Sequence, residues 1–289
     1  MNTIHFASSR NSQSHKIVGW ALLSGLLLLR IPLLGFVTLF AKYDWIDPVF
    51  EVGTYFLTAC LIWWERERLA DFHIDTLTVG LIILFKPVQT LILALFGMAE
   101  HPLAFPQWGG ILIWSIAAAL FIAMRFSRPR MARISRASVG WFGWGLLAGL
   151  LTAVILGYPM SFQVDNVPTD LPGVLQLVFM ILRGVFYQLG YAAVTEEPLF
   201  RGFLWGYLRK AGWKNVWIWL FQTGLFMVAH IYYVNRLPIS FWIIVPISTL
   251  VLGALAWRSK TIAASMGAHT MMNASGYTIG TVSYTHLRA

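Results

Sequence analysis

The sequence predicts an all-α, polytopic membrane protein, a bundle of about nine transmembrane helices with its N-terminus in the cytoplasm. Three observations support this prediction. Hydrophobic residues make up 58% of the 289-residue chain and charged residues only 11%, whereas a soluble domain carries about 25% charged residues. The apolar residues lie in long runs, without the strand alternation of an outer-membrane barrel. The basic residues fall in clusters between those runs.

The same observations exclude two other classes of protein. The net charge of +9 could suggest a nucleic-acid partner, but nucleic-acid binding requires basic residues on a folded, water-exposed face. Here they lie between apolar runs, so we expect no nucleic-acid partner. A secreted domain held together by disulfides is excluded because Cys60 is the only cysteine and has no second thiol to pair with.

Each predicted crossing is an apolar run near the length of about 20 residues that spans the hydrocarbon core of a bilayer. The runs are 17–41, 48–64, 77–99, 108–125, 139–158, 174–197, 214–234, 239–257 and 261–280. The second run is short, and the sixth continues its helical pattern to about residue 210. The first run is too long for a signal-peptide core and lacks a small-residue cleavage site. We therefore predict that it is a retained helix.

Basic residues predict the orientation, because cytoplasmic loops are enriched in Lys and Arg. A cytoplasmic N-terminus places 14 of the 21 basic residues in inside segments: Arg10, Lys16, Arg66, Arg68, Arg125, Arg128, Arg130, Arg133, Arg136, Arg209, Lys210, Lys214, Arg258 and Lys260. The outside segments contain only Lys42, Arg236 and Arg288. Splitting the stretch 171–210 at Gly190 would invert every later cluster, so we predict one crossing there.

The Arg-rich linker 125–138 divides the chain into two helical regions and a tail. We predict an N-terminal four-helix region with this linker (1–138), a five-helix core (139–280) and a polar tail (281–289). The segment from Val282 to Ala289 resembles translated sequencing-adapter sequence. We therefore expect this tail to be non-native and the true C-terminus to be missing.

Ionisable side chains inside the predicted crossings are candidates for function, because each costs roughly 2.5–3.5 kcal/mol to insert. The candidates are Arg30, Lys86, Arg183, Glu196, Glu197, Arg201, His230 and His269, with Asn273 as a polar neighbour. Of the 12 acidic residues, we place only Glu196 and Glu197 in a crossing. Arg30, Lys86 and Arg183 stand singly, so we interpret them as snorkelling or helix-packing cations.

The segment from Thr195 to Arg201 contains two adjacent carboxylates with different expected roles. Successive helical residues are about 100° apart, so Glu196 and Glu197 cannot share a face. Arg201 follows Glu197 by four residues, which is ion-pairing spacing, and Glu196 is left freer for chemistry. Pro198 removes a backbone donor, so we predict a kink beside the carboxylates. A purely structural Glu–Arg pair between helices is the alternative.

His230, His269 and Asn273 are predicted to lie at the depth of Glu196. Along the helices, Glu196 lies about 20 Å from Arg209, His230 about 24 Å from Lys214, His269 about 14 Å from Lys260 and Asn273 about 20 Å from Lys260. His269 and Asn273 are four residues apart and share a face. Any one of these residues could simply hydrogen-bond two helices together, but their shared depth predicts a common site.

A carboxylate with two imidazoles supports two mechanisms of hydrolysis. In one, Glu196, His230 and His269 bind Zn²⁺ or another divalent metal that carries a water. In the other, Glu196 and His230 activate water without a metal, and His269 and Asn273 stabilise the oxyanion. Other intramembrane protease sites are missing: there is no HExxH motif, no Asp in a predicted crossing, no Gly-x-Ser-Gly motif and no base near Cys60.

Three motifs in fixed order resemble the CAAX protease and bacteriocin-processing (CPBP, or Abi) family of intramembrane endopeptidases. They are Glu-Glu-x-x-x-Arg (Glu196, Glu197, Arg201), Phe-x-x-x-His (Phe226, His230) and His-x-x-x-Asn (His269, Asn273). The resemblance covers roughly 139–280. It implies that Glu196 activates water with His230, and that His269 and Asn273 stabilise the oxyanion or join a metal site. Glu197 and Arg201 would be supporting residues, and Phe226 would shape the pocket.

The function predicted from the sequence is therefore that of an intramembrane endopeptidase, which hydrolyses a peptide bond of a membrane-associated or lipidated peptide or protein.

 The bilayer and such a substrate are the expected partners, and a prokaryotic plasma membrane is the expected location. One alternative is a non-catalytic immunity or scaffolding protein of the same family. Another is a transporter or haem carrier that uses His230 and His269 as axial ligands, in which the adjacent Glu pair would have no role.

Overall fold

The computed structural model of the protein describes residues 3–35, 45–129, 134–161 and 171–286. Within these ranges the chain forms helices joined by turns, without a strand, so the predicted all-α fold is confirmed. Lys42, Arg130, Arg133 and Arg288, which entered the orientation argument, lie outside the described residues.

The long helices follow the predicted apolar runs. In chain order they are α1 (Thr3–Gly35), α2 (Ile46–Trp64), α3 (Thr76–Leu95), α4 (Trp108–Ser127), α5 (Arg136–Ser161), α6 (171–210), α7 (Asn215–Ala229), α8 (Ser240–Ser259) and α9 (Ile262–His286). Two short helical segments, Arg66–Phe72 and Tyr233–Arg236, lie between them. The helix α6 runs through Gly190 without a break in its helical structure, as predicted.

Six helical stretches in the described ranges are long and apolar enough to cross a membrane. They are Gln13–Ile31, Thr76–Leu95, Trp108–Ser127, Arg136–Gly157, Gly173–Lys210 and Ser240–Ser259. Pro48–Trp64 and Asn215–Ala229 are apolar but shorter, and α9 is less apolar. The protein is therefore a multi-pass integral membrane protein, while the number of nine crossings stays a prediction.

Two predicted boundaries differ from the structure. The run 214–234 contains a helix that ends at Ala229, because the side chain of His230 takes the carbonyl of Phe226 as its partner and a turn follows. The helix α9 continues to His286, beyond residue 280, where the predicted crossing ends.

Asp75 joins the N-terminal ends of three helices. Its carboxylate caps α3 by accepting the backbone N–H of Thr78 at 2.9 Å. It also accepts the hydroxyls of Ser138 at 2.6 Å and Thr261 at 2.9 Å, which lie at the starts of α5 and α9. A carboxylate is favourable at a helix N-terminus, where the macrodipole is positive. Asp75 therefore sets the relative heights of α3, α5 and α9.

Other contacts bring the remaining predicted inside segments to the same end. Arg209 donates to the carbonyl of Asp71 at 2.5 Å, and Trp64 Nε1 donates to the carbonyl of His15 at 3.1 Å. The five segments that the basic residues assign to one side thus meet at one end of the bundle. That this end faces the cytoplasm stays a prediction.

The helices α5 and α9 approach each other through small residues. A Cβ atom at Gly149 would lie 2.3 Å from the carbonyl oxygen of Ala268, and one at Gly145 would lie 2.0 Å from that of Ala264. Small residues spaced by four let membrane helices pack backbone against backbone. Since Ala268 precedes His269, this contact fixes the position of His269 across the bundle.

We expect Gly149→Leu to lower the thermal stability of the detergent-solubilised protein, because the added side chain must push α5 away from α9. Overpacking of this kind costs about 1–3 kcal/mol. Gly143→Leu is the matched control, since a Cβ at Gly143 meets nothing within 4 Å. Equal melting temperatures for the two variants would contradict the proposed packing.

His73, in the turn before α3, predicts a pH dependence of stability. Burial, followed by the positive charges of Arg209 and Lys260, lowers the pKa of His73 to about 4. Arg209 Nη1 lies 3.3 Å from His73 Nε2, and since a guanidinium only donates, that nitrogen accepts in the neutral form. The unfolded pKa is about 6.5, so the unfolded chain binds the proton first as the pH falls.

The free energy of unfolding should therefore fall as the pH drops from about 6.5 to about 4. His73→Asn should remove this part of the dependence, because Asn keeps the left-handed backbone (φ 56° at His73) and does not titrate. Chemical unfolding at pH 7 and pH 5 measures both proteins. Parallel losses of stability in the two would rule out His73 as the titrating group.

Candidate active site

The carboxylates Glu196 and Glu197 occupy a single α-helical turn between two π-helical segments of α6. The turn is Val194–Glu197, and the π-helical segments are Leu189–Ala193 and Pro198–Leu204. Pro198 lacks an N–H, and the wider π geometry begins at this residue. The predicted disturbance of the helix beside the carboxylates is present, and π-helical turns of this kind are frequent at functional sites.

Glu197 binds both Arg201, its predicted partner, and the imidazole of His269. Arg201 Nη1 donates to Glu197 Oε1 at 3.1 Å, and both side chains are completely buried. His269 Nδ1 lies 2.7 Å from the same oxygen. Because an ionised carboxylate only accepts, Nδ1 of His269 carries the hydrogen. Glu197 therefore orients His269 and leaves its Nε2 as the free ring nitrogen.

Glu196 faces that free nitrogen. Its Oε2 lies 3.7 Å from His269 Nε2, which is too long for a hydrogen bond. The same Oε2 is buried and has no hydrogen-bond partner in the described part of the structure. A buried carboxylate oxygen without a donor is costly. Glu197 Oε2 likewise has no hydrogen-bond partner among the described residues, so Glu196 Oε2 is distinguished by its position opposite His269 Nε2.

The other oxygen of Glu196 is bound by Arg30, which corrects the interpretation of Arg30 as a solitary cation. Arg30 Nη2 donates to Glu196 Oε1 at 2.5 Å, and its Nη1 donates to Glu51 Oε1 at 3.4 Å. Lys86 donates to Glu51 Oε2, so it is not solitary either. Arg183, by contrast, is exposed and lies 4.2 Å above the ring of Phe96, as expected of a packing cation.

Glu51 is the charged residue that the sequence analysis missed. It lies in α2, is completely buried, and stands within the predicted crossing 48–64, so the statement that only Glu196 and Glu197 occupy a crossing was wrong. The signal was available, since a carboxylate in an apolar helix carries the same insertion cost as Glu196. Its partners Arg30 and Lys86 could not be predicted from the sequence, because they lie on other helices.

His230 lies at the C-terminal end of α7. Its Nδ1 donates to the carbonyl of Phe226 at 2.9 Å, one of the last four carbonyls that a helix leaves without a backbone partner. A carbonyl only accepts, so Nδ1 carries the hydrogen and Nε2 is free in the neutral ring. His230 and His269 thus have the same tautomer, and both interact electrostatically with Glu196.

Phe226 lies between the two imidazoles. Its ring stacks on that of His230 with centroids 4.4 Å apart, and it meets the ring of His269 edge to face at 6.1 Å. The guanidinium of Arg201 lies 4.9 Å from the centroid of Phe226. Phe226 therefore separates His230 from Arg201 and keeps both imidazole rings in fixed orientations.

Asn273 is held away from the carboxylate pair. Its Nδ2 donates to Gln188 Oε1 at 3.2 Å, and Gln188 lies two turns before Glu196 on α6. Asn273 shares the face of α9 with His269, as predicted, but its amide is occupied by a residue that the sequence analysis did not single out.

The predicted metal ligands are Glu196, His230 and His269. Among the described residues, no group of three or more His, Cys, Asp or Glu side chains is arranged to hold a metal ion. The guanidinium of Arg30 occupies Glu196 Oε1 and would repel a dication at the same carboxylate. This arrangement therefore does not fit a three-ligand metal site, and metal use stays a prediction.

Comparison with known proteins finds one family match. Residues 173–275 match the family model of the Rce1-like proteins, whose description is type II CAAX prenyl endopeptidase Rce1-like. No curated protein and no solved structure matches the chain. The matched range contains every residue of the three motifs, and it leaves α1 to α5 outside. Residues 173–275, about a third of the chain, are therefore similar to the Rce1-like type II CAAX prenyl endopeptidases of the CPBP family, the family that the three motifs resemble.

Proposed function

We propose that the protein is an intramembrane endopeptidase in which Glu196 and His230 activate water to hydrolyse a peptide bond of a membrane-associated substrate. The family match supports CAAX-type protease activity in general. The observation that carries the proposal is the buried Oε2 of Glu196, which has no hydrogen-bond donor among the described residues and lies 3.7 Å from Nε2 of His269. His230 also interacts electrostatically with this carboxylate.

In the proposed first step, water donates a proton to Glu196 Oε2 and attacks the scissile carbonyl carbon. The Nε2 of His230 is the second base that this chain offers, because its Nδ1 is committed to the carbonyl of Phe226. General-base assistance by such groups contributes about 10²–10⁴-fold to a rate. Collapse of the tetrahedral intermediate breaks the C–N bond, and the departing amine takes the proton from the carboxyl.

The oxyanion of the intermediate requires a donor, for which we propose His269. In its protonated form the ring donates through Nε2, while Nδ1–H stays on Glu197 at 2.7 Å. Asn273 would supply a second donor once its amide leaves Gln188. Donors aimed at a developing oxyanion contribute about 2.7–4 kcal/mol each.

A substrate that lies in the membrane fits the apolar surface of α6 before the site. Val174, Leu175, Val178, Phe179, Leu182 and Phe186 are exposed on this part of the helix. A peptide or lipidated protein that diffuses in the bilayer could reach Glu196 along this surface without crossing water. The prokaryotic plasma membrane is the proposed location.

Glu196→Gln should lower kcat for peptide cleavage by about 100-fold or more, because an amide cannot accept the proton of water. His230→Asn should lower kcat within the same range. Cleavage of peptide and lipidated-peptide libraries by the purified protein, followed by mass spectrometry, measures both. Glu67→Gln is the matched control, since the side chain of Glu67 is 57% exposed and far from the site.

Wild-type cleavage by Glu196→Gln would overturn the catalytic assignment. If this variant cleaves nothing but still replaces the wild-type protein in a cellular assay, the non-catalytic immunity or scaffolding alternative is favoured instead.

Chelation separates the two mechanisms of water activation. Because Arg30 already neutralises Glu196, we expect treatment with 1,10-phenanthroline or EDTA to leave kcat within about twofold, as general-base catalysis without a metal requires. Elemental analysis of the active protein supplies a readout besides activity. One bound metal per chain, with loss of activity on chelation and recovery with Zn²⁺, would establish the metal-dependent route instead.

A further inference from the structure

We propose that Arg30 is a positioning residue for the carboxylate of Glu196, so that the first helix, outside the matched residues 173–275, completes the active site. This inference rests on the proposed function. It concerns a region for which neither the motifs nor the family match predicts a role.

The contact between Arg30 and Glu196 joins two fully enclosed side chains. Arg30 is 1% exposed and Glu196 is 5% exposed, and Nη2 lies 2.5 Å from Oε1. Charge-assisted hydrogen bonds of this kind are the strong ones, and removing one partner of a buried pair leaves an uncompensated charge. The contact fixes Oε1 and thereby decides that Oε2 is the oxygen presented to His269.

The guanidinium of Arg30 also contacts residues other than Glu196, which fix its orientation. Glu51 accepts from Nη1 at 3.4 Å, Lys86 binds the other oxygen of Glu51, and the ring of Phe50 lies 4.6 Å from the guanidinium carbon. Charges therefore alternate in sign from Lys86 through Glu51 and Arg30 to Glu196, across α3, α2, α1 and α6. Arg30 is oriented by residues that do not reach the reacting atoms.

This arrangement assigns Arg30 an effect on the chemical step rather than on substrate binding. With Oε1 bound, the carboxylate cannot rotate, and Oε2 stays directed at the water to be activated. Misplacing a reacting group by about 1 Å can lower a rate by about 100-fold. The substrate touches neither Arg30 nor Glu51 in this proposal, so KM should change little.

If Arg30 had a purely structural role, it would only balance the charges of the buried carboxylates. A double variant separates this role from the positioning of Glu196. Arg30→Met leaves the carboxylates of Glu51 and Glu196 with only Lys86 as a cation. Adding Glu51→Gln restores the balance, because Lys86 and Glu196 then remain as one charge of each sign. The double variant is therefore balanced but still lacks the guanidinium on Glu196.

The experiment measures kcat and KM for Arg30→Met, Arg30→Lys and the double variant Arg30→Met/Glu51→Gln, with melting temperature as the check on folding. We expect Arg30→Met to lower kcat by about 100-fold with KM within about threefold. Arg30→Lys should recover about tenfold of that loss, since an ammonium keeps the charge but not the planar fork. The double variant should stay as slow as Arg30→Met. Arg183→Met, which removes an exposed membrane arginine, should keep the wild-type kcat.

Recovery of the wild-type kcat in the double variant would assign Arg30 to charge balance alone and overturn the proposal. So would a wild-type kcat in Arg30→Met. If Arg30→Met does not fold, the kcat of Arg30→Lys is compared with that of the balanced double variant. A wild-type kcat in the double variant again overturns the proposal, and a kcat below that of Arg30→Lys supports it. An active Glu196→Gln protein would instead count against the proposed function, so the two failures are distinguishable.

Discussion

The cost of placing charge in an apolar interior is the constraint on which the rest of this structure depends. Every charge around the site has a partner of opposite sign: Arg201 for Glu197, Arg30 for Glu196 and Lys86 for Glu51. Because Lys86, Glu51, Arg30 and Glu196 come from four different helices, these helices cannot separate without exposing unpaired charge to an apolar environment. The same pairs also fix the positions of the carboxylates that the proposed chemistry needs.

Fixed hydrogen-bond directions then determine the chemistry that the site can perform. Both imidazoles donate through Nδ1, one to a backbone carbonyl and one to a carboxylate. Neither acceptor can donate in return, so both rings are left with Nε2 as the free nitrogen. A third acceptor, Glu196 Oε2, lies 3.7 Å from Nε2 of His269. Two acceptors that face each other, Glu196 Oε2 and Nε2 of His269, suit a molecule that brings protons with it, and water is the simplest such molecule.

The part of the site that could be predicted from the sequence is the part encoded by local spacing. Glu197 and Arg201 are one turn apart, Pro198 disturbs its own helix, and residue counts from the loops gave the depth of His269. Arg30 and Glu196 are 166 positions apart, and no spacing rule relates helices that far apart in the chain. The end of α7 was also missed, because hydropathy continues past Ala229 while the His230 side chain takes over a helical carbonyl.

The three helix starts joined at Asp75 have a consequence for how the length of the chain can vary. Thr261 is fixed on this carboxylate, and His269 follows eight residues later on α9. One inserted residue between them would turn His269 by about 100° and raise it by about 1.5 Å, which would remove it from Glu197. The number of residues between Thr261 and His269 is therefore constrained, because Asp75 fixes the start of this stretch and Glu197 binds its end.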